Sequence, residues 1–142
     1  MAEKEFYMRL HGDMLHNVVI FLTKCILLEK GAKLYDERQF KKKYICPCEP
    51  DVYAEYNAKM IVGNTRRTEK KLLVVEVETF ATKESIAKKY LQYKEATAGL
   101  DLVILDLRKY MNANDTDHYA DPFAGTQDWM RLKDWIEAEL PI

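Results

Sequence analysis

Apolar residues recur at helical spacing over residues 3–30 and predict one long amino-terminal helix. Gly31 directly follows Lys30 and is a typical residue for ending a helix. Gly12 interrupts the pattern and marks either a kink or the true start of the helix. The apolar positions that define the helix are Phe6, Leu10, Met14, Val18, Phe21, Leu22, Cys25 and Ile26.

The middle of the chain has the pattern of three strands. Residues 32–36 predict a short first strand, and the polar, basic residues 37–49 predict a loop that ends in a proline-rich segment. A strand from Asp51 to about residue 62 is followed by a turn at Gly63-Asn64-Thr65. The returning strand covers residues 71–80, and the two strands predict an antiparallel hairpin.

The remaining elements alternate between helix and strand. Thr82 can cap a helix over residues 83–98, and the apolar run 101–107 predicts a strand. If this strand lies parallel to the one before the helix, the connection should be a right-handed crossover. A polar loop over residues 110–125 precedes a final helix from Thr126 to Leu140. The order predicts an α/β domain, a mixed sheet of about four strands flanked by helices, and a single domain spanning residues 1–142.

The helix over residues 83–98 has a predicted inward face that includes basic residues. At 100° per residue, Lys83 and Lys94 fall within this face, whereas Lys88 and Gln92 fall on the opposite side. In the final helix, Trp135 lies beside a predicted apolar face formed by Trp129, Leu132, Ile136 and Leu140. The inward residues of the first of these helices are Ile86, Ala87, Tyr90, Leu91 and Ala98.

Composition adds limits on location. The 142 residues are 48% hydrophobic and 32% charged, which is typical of a globular domain. No apolar run approaches the ~20 residues of a membrane helix, and the amino terminus lacks the pattern of a signal peptide. We therefore expect an intracellular protein without a membrane partner.

Charge divides the chain unevenly. Residues 112–142 contain seven acidic and two basic residues, a net charge of −5, and the remaining residues carry +4. The basic clusters suit a nucleic-acid contact surface. A solvated lysine-rich surface also explains them and is preferred from charge alone. The clusters are Arg38/Lys41/Lys42/Lys43, Arg66/Arg67/Lys70/Lys71 and Lys83/Lys88/Lys89/Lys94.

Three carboxylates lie on or beside the two hairpin strands. Glu76 and Glu78 interrupt an apolar run and point to the same face, and Asp51 begins the neighbouring strand. Converging carboxylates of this kind suit Mg²⁺ or Mn²⁺, which prefer oxygen ligands. Alternatively, Glu76 and Glu78 face solvent and pair with basic residues across the strands.

Pro50-Asp51, followed by an apolar strand that ends in Glu76-x-Glu78, resembles the motif of the PD-(D/E)xK nuclease superfamily. The order of elements over about residues 10–107 also resembles the restriction-endonuclease-like core of that family. The final helix lies outside this core as an extension over about residues 126–140. Within the superfamily the chain looks most like archaeal Holliday junction resolvases and related small nucleases of archaea and their viruses.

The resemblance implies a Mg²⁺- or Mn²⁺-dependent endonuclease acting on DNA, including branched DNA. Asp51 and Glu76 match the metal ligands, and Val77 would offer its backbone carbonyl. Glu78 occupies the usual place of the catalytic lysine. Some family members are active with Glu there, and others recruit a lysine from the next helix, for which Lys94 is preferred here and Lys83 is the other candidate.

Further expectations concern the partners. His16 replaces a glutamate expected on the first helix and could contact metal-bound water or the scissile phosphate. The basic residues Lys41, Lys42, Lys43, Arg66 and Arg67 are expected to contact phosphates. Three interpretations remain open: an active nuclease, a catalytically inactive protein of the same fold that binds nucleic acid or a protein, and an unrelated α/β protein. A homodimer also remains open.

Overall fold

A computed structural model of the chain describes residues 3–44, 46–79, 81–97, 99–113 and 126–142. The side chains of residues 3–13, 111–113 and 126–129 lie outside the description. Five helices and four strands occupy the described ranges. In chain order they are α1 (Glu3–Glu29), β1 (Lys33–Tyr35), α2 (Glu37–Lys43), β2 (Val52–Val62), β3 (Thr65–Glu78), α3 (Lys83–Ala96), β4 (Leu100–Asp106), α4 (Leu107–Ala113) and α5 (Thr126–Glu139).

The four strands form one open sheet in the order β1-β2-β3-β4. β1, β2 and β3 pair antiparallel, with Val52 of β2 opposite Val75 of β3. β4 pairs with β3 in parallel, with Ile104 opposite Glu76. The predicted α/β architecture, with a mixed sheet of about four strands flanked by helices, is confirmed. The strand that follows α3 is parallel to the strand before it, an orientation that the sequence left open.

Two short helices correct the predicted loops. The Asp36 side chain accepts a hydrogen bond from the backbone N–H of Arg38 at 3.0 Å and so caps α2, which ends before the prolines of the segment. α4 begins at Leu107 and occupies the start of the predicted loop over residues 110–125. The rest of that loop lies outside the described residues. The prolines therefore disfavour a helix only in the second half of residues 37–49.

The hairpin is longer than its apolar pattern indicates. β3 begins at Thr65 rather than Lys71, and Val62 pairs with Thr65 at the end of the ladder. The six extra residues, 65–70, are polar and exposed, and four of them are charged. A hydrophobic pattern detects only the part of a strand that is buried, so it missed this part of β3.

α1 is continuous from Glu3 and does not start at Gly12. Gly31 has φ +83° and lies at its end, where the N–H of Ala32 donates to the Leu27 carbonyl at 2.9 Å. The helix buries Leu15, Val19, Thr23, Ile26 and Leu27. It leaves a stripe of large apolar side chains exposed on another side, namely Met14, Phe21 and Leu28.

The main core lies on the face of the sheet covered by α1, α4 and α5. The buried residues of α5 are those that the sequence predicts, and Trp135 packs against Tyr110 with ring centroids 5.2 Å apart. The Trp129 side chain lies outside the described residues. Because α5 shares this core with β3, it is packed on the sheet rather than appended beyond it. The core includes Val19, Ile26, Val52, Leu73, Val75, Leu105, Leu132, Ile136 and Leu140.

A smaller aromatic core lies on the opposite face, under α2 and α3. Phe40 of α2 contacts Tyr53 edge-on with ring centroids 5.2 Å apart, and it also contacts Tyr93 of α3 at 5.5 Å. Cys46 and Val74 complete the buried set. The predicted site carboxylates lie at the end of this second face. No helix within the described ranges combines the length and hydrophobicity needed to cross a bilayer.

Candidate functional site

The pairing of β2 with β3 brings the predicted carboxylates together. Val52 lies opposite Val75, so Asp51, the residue before β2, is next to Glu76 in the same register. Glu76 and Glu78 point to the face that α3 covers, and Glu76 is only 3% exposed. The alternative in which these carboxylates face solvent and pair across the strands is therefore wrong for Glu76.

Asp51 is held by one backbone and one side-chain contact. The N–H of Val77 donates to its Oδ2 at 2.7 Å, and Nε2 of His16 lies 3.4 Å from the same oxygen. Burial raises the pKa of Asp51, but the hydrogen bonds from His16 and Val77 outweigh it and keep that pKa below its usual value. The hydrogen bond to Asp51 in turn raises the pKa of His16.

Glu76 is surrounded by donors. Nζ of Lys89 lies 3.1 Å from its Oε2, and the hydroxyl of Tyr93 donates to its Oε1. Burial raises the pKa of Glu76, and the nearby Asp51 carboxylate raises it further against the opposing effects of Tyr93 and Lys89. The two carboxyl groups are thus pushed apart in pKa, with Asp51 the stronger acid.

Lys89 links the two glutamates of β3. Its ammonium group contacts Glu78 as well as Glu76, and the lysine side chain is 27% exposed. The predicted placement of Lys83 and Lys94 on the inward face is wrong, because both side chains are exposed. Lys89 is thus the lysine of α3 that reaches the carboxylates.

The inward side of α3 is polar. Tyr93 is its buried residue, whereas Tyr90 and Leu91, which the sequence predicts to face inward, are largely exposed. Gln92 also turns inward, and its Oε1 accepts a hydrogen bond from the Cys48 thiol at 2.8 Å. Burial raises the pKa of Cys48, which favours this neutral donor form. The helix therefore presents its polar residues to a sheet face that carries carboxylates.

Two features of the surface lie beside Asp51 and along the hairpin. A cleft of about 320 Å³ is lined by Lys24, Glu37, Glu49, Pro50 and Asp51. The predicted phosphate contacts are all exposed. Lys41, Lys42 and Lys43 form the last turn of α2, and Arg66 and Arg67 lie near the end of the hairpin. Among the described residues, none of these five basic side chains forms an ion pair with Asp51, Glu76 or Glu78.

A metal ion would find oxygen donors here. Asp51 and Glu76 come from adjacent strands, and hard ions such as Mg²⁺ can be held by one or two carboxylates together with several waters. As the described side chains stand, no group of three or more His, Cys, Asp or Glu is arranged to hold a metal ion. The chemistry of the donors fits a largely hydrated Mg²⁺ or Mn²⁺ but not a closed zinc site.

No known protein family, curated protein or solved structure matches the chain at a significant level.

Sequence reasoning missed Lys89 and Tyr93. It assigned the inward face of α3 from its apolar residues, but the face that this helix covers contains Glu76 and Glu78. The sequence contained a signal for them, because a buried glutamate needs a nearby cation and hydrogen-bond donors. Lys89 and Tyr93 are spaced four residues apart and so share one side of α3.

Proposed function

We propose that the chain is a Mg²⁺- or Mn²⁺-dependent nuclease that hydrolyses DNA phosphodiester bonds, with branched DNA among its substrates, on a restriction-endonuclease-like core. The observation that carries the proposal is the contact of Lys89 with Glu76 and Glu78. The sequence resembles the PD-(D/E)xK motif, but it has Glu78 at the position where that motif has its lysine. Lys89 supplies an ammonium group next to the carboxylates from α3.

In this proposal Asp51 and Glu76 hold the metal ion, and the Val77 carbonyl is a further ligand. A bound Mg²⁺ or Mn²⁺ supplies a Lewis acid that lowers the pKa of a coordinated water and neutralises phosphate charge. The hydrogen bond from the Val77 N–H orients the Asp51 carboxylate, as second contacts of metal ligands commonly do.

The proposed roles of the cations follow from their positions. Lys89 stabilises negative charge on the phosphate, in the role that the sequence assigned to Lys94 or Lys83. Glu78 holds the Lys89 ammonium in place and remains a candidate base. His16, 3.4 Å from Asp51, orients that carboxylate and is a candidate contact to the phosphate. The exposed lysines 41–43 of α2 are candidate contacts to the substrate backbone.

A cleavage panel tests the proposal. Single-stranded, duplex, flap and four-way-junction DNA are incubated with Mg²⁺ or Mn²⁺ and the wild type, Asp51→Asn or Lys89→Met. We expect either substitution to lower the cleavage rate about 10²-fold or more, the scale of removing one stabilising group from a transition state. Lys94→Met is the matched control on the same helix and should stay within about twofold of the wild type.

The outcomes separate the assignments. Cleavage by Asp51→Asn at the wild-type rate on every substrate would rule out the proposed site. If Lys94→Met and Lys89→Met lose activity equally, the role proposed for Lys89 is wrong. A wild type that cleaves none of the substrates with either metal ion contradicts the nuclease assignment.

A second candidate is a catalytically inactive protein of the same fold that binds nucleic acid or another protein. The observation that favours it is that Glu76 is already neutralised by Lys89 and hydrogen-bonded by Tyr93. Such a protein needs no metal ion at these carboxylates. Isothermal titration calorimetry with Mn²⁺ distinguishes the two candidates, because it measures whether the protein binds the ion. Binding that Asp51→Asn abolishes supports the nuclease, and absence of binding supports the inactive protein.

A further inference from the structure

The hairpin projects from the sheet beyond its packed part. We define the projecting hairpin as residues 59–70, in which every residue is exposed. Its ladder stays regular to the turn, because Lys59 pairs with Thr68 and Val62 with Thr65. A two-stranded ribbon without a covered face adds little to folding stability. Its exposed surface is therefore available for a contact outside the chain.

One face of the projecting hairpin is basic. Directly paired residues share a face, so Lys59, Arg66 and Lys70 lie together with Ile61 and Thr68. This face has three cations and no acidic residue within residues 59–70. Further towards the sheet, Lys70 lies 3.9 Å from Glu55, a loose ion pair. The opposite face has Arg67 but also Glu69, so the charge is concentrated on one side.

The end of the projecting hairpin is apolar. Ile61 is 77% exposed and Val62 is 53% exposed. Arg66 pairs with Ile61, and Arg67 pairs with the neighbouring Met60. Apolar side chains flanked by guanidinium groups suit a partner that has both phosphates and apolar base or sugar surfaces. Proteins that bind DNA use such side chains as wedges between base steps.

The basic face continues into the candidate site. Strand residues two apart share a face, so Arg66, Lys70, Glu76 and Glu78 all point to the same side of β3. Ten residue steps separate Arg66 from Glu76 and span about 33 Å at ~3.3 Å per step. One turn of B-form DNA is about 34 Å long, and its major groove is wide enough for a two-stranded ribbon.

We propose that the projecting hairpin binds a nucleic-acid duplex about one helical turn from the candidate site, with its basic face along the phosphates and its apolar tip in a groove. The location of cleavage in this arrangement rests on the proposed function, but the binding does not. An anionic membrane would also attract the tip. The cations run the whole length of the ribbon instead of clustering at its end, which favours a duplex.

Binding is measured without metal ions, so that cleavage plays no part. The anisotropy of a labelled 24-base-pair DNA duplex is followed in EDTA at several salt concentrations. The basic-face variant is Arg66→Gln/Lys70→Gln, and the tip variant is Ile61→Ser/Val62→Ser. The matched control, Arg131→Gln/Lys133→Gln, removes two positive charges from α5 on the other side of the sheet.

The two variants should weaken DNA binding with different salt dependence. We expect the basic-face variant to bind about tenfold or more weakly at 50 mM salt, with a salt slope reduced by about 1.8, because two phosphate contacts are lost. The tip variant should bind about three- to tenfold more weakly with an unchanged salt slope, since its contacts are not ionic. The control should remain within about twofold of the wild type.

Several results would overturn the inference. These are a wild type that does not bind the duplex, a basic-face variant that binds as the control does, or a wild type that prefers anionic vesicles. A tip variant that changes the sedimentation of the protein alone would assign the tip to self-association. Thermal unfolding confirms that the variants are folded. Loss of cleavage in Asp51→Asn with duplex binding retained would leave this inference standing and test only the proposed function.

Discussion

The two faces of the sheet are covered differently. On one face, α1 and α5 pack on an apolar core that includes Val19, Ile26 and Ile136. On the other face, α2 and α3 cover an aromatic cluster, and the buried Glu76 lies beside it. The helices differ in charge as well. α2 and α3 together have eight basic and three acidic residues, whereas α1 and α5 have five basic and eight acidic ones. The projecting hairpin extends the basic side.

The difference separates stability from chemistry. Burial of apolar side chains on the α1 face stabilises the fold in proportion to the area removed from water. The α3 face instead buries a carboxylate, which costs free energy unless it is paired and hydrogen-bonded. Lys89 and Tyr93 make those contacts with Glu76. Substitutions on the α1 face should therefore change stability alone. Substitutions on the α3 face should change both stability and the binding of the proposed metal ion.

The largest effect is expected on the apolar face. Ile136→Ala removes a fully buried side chain of α5 and should lower the free energy of unfolding by about 2–5 kcal/mol, because it leaves a cavity. Met130→Ala on the exposed side of α5 is the control and should cost less than about 0.5 kcal/mol. Urea denaturation measures both. A small loss for Ile136→Ala would mean that α5 contributes little to the main core.

The next effect concerns the ion pair on the polar face. Lys89→Met leaves Glu76 without its cation and should cost about 1–3 kcal/mol at pH 7. Lys94→Met, on the same helix but exposed, should cost less than about 0.5 kcal/mol. The double variant Glu76→Gln/Lys89→Met should cost less than the sum of its single changes, since the unpaired charge is gone. Strict additivity would contradict the contact.

These two helices also mark how far the sequence predicts the fold. α5 has a regular apolar face against an apolar sheet face, so Leu132, Ile136 and Leu140 are correctly predicted as buried. The four strands, the cap at Thr82 and the turn at Gly63 follow from equally local signals, and the structure confirms them, except that β3 begins six residues earlier than predicted. Such signals succeed where the partner surface is apolar.

α3 shows why the rest could not be predicted. Its inward face depends on Glu76 and Glu78, which lie on a strand and become its neighbours only in the folded chain. The apolar residues Tyr90 and Leu91 therefore misled the assignment, and Lys94 was preferred over Lys89. The proximity of Asp51 and Glu76 could be predicted because it needs only the register of one hairpin. His16 reaches Asp51 from a distant helix, a contact that the sequence did not predict.

A smaller effect depends on pH in the metal-free protein. Asp51 has a lowered pKa, so its stabilising contribution is complete above its ordinary value of 3.8 and is lost as the pH falls through the lowered value. His16 has a raised pKa, so its contribution is complete below 6.5 and is lost as the pH rises through the raised value. The pair therefore stabilises the fold most between these two pH values.

His16→Gln keeps a hydrogen-bond donor and removes the charge. At pH 5.5 it should lower the free energy of unfolding by about 0.5–1.5 kcal/mol, the range of a typical intramolecular hydrogen bond. At pH 9 the variant and the wild type should differ by less than about 0.5 kcal/mol, because His16 is then neutral in both the folded and unfolded states. A difference that stays constant over this range would contradict an ionic interaction with Asp51.

The smallest effect is expected where α1 is exposed. Phe21 is 65% exposed in the middle of a stripe with Met14 and Leu28, so Phe21→Ser should change the free energy of unfolding of dilute protein by less than about 0.5 kcal/mol.

The same variant tests the homodimer that the sequence left open. Residues at seven-residue intervals on one helix can form a seam with a second helix. A dimer through this seam would make the melting temperature of the wild type rise with concentration, whereas that of Phe21→Ser would not. If the wild type and Phe21→Ser have equal melting temperatures that do not change with protein concentration, this seam is not a dimer interface.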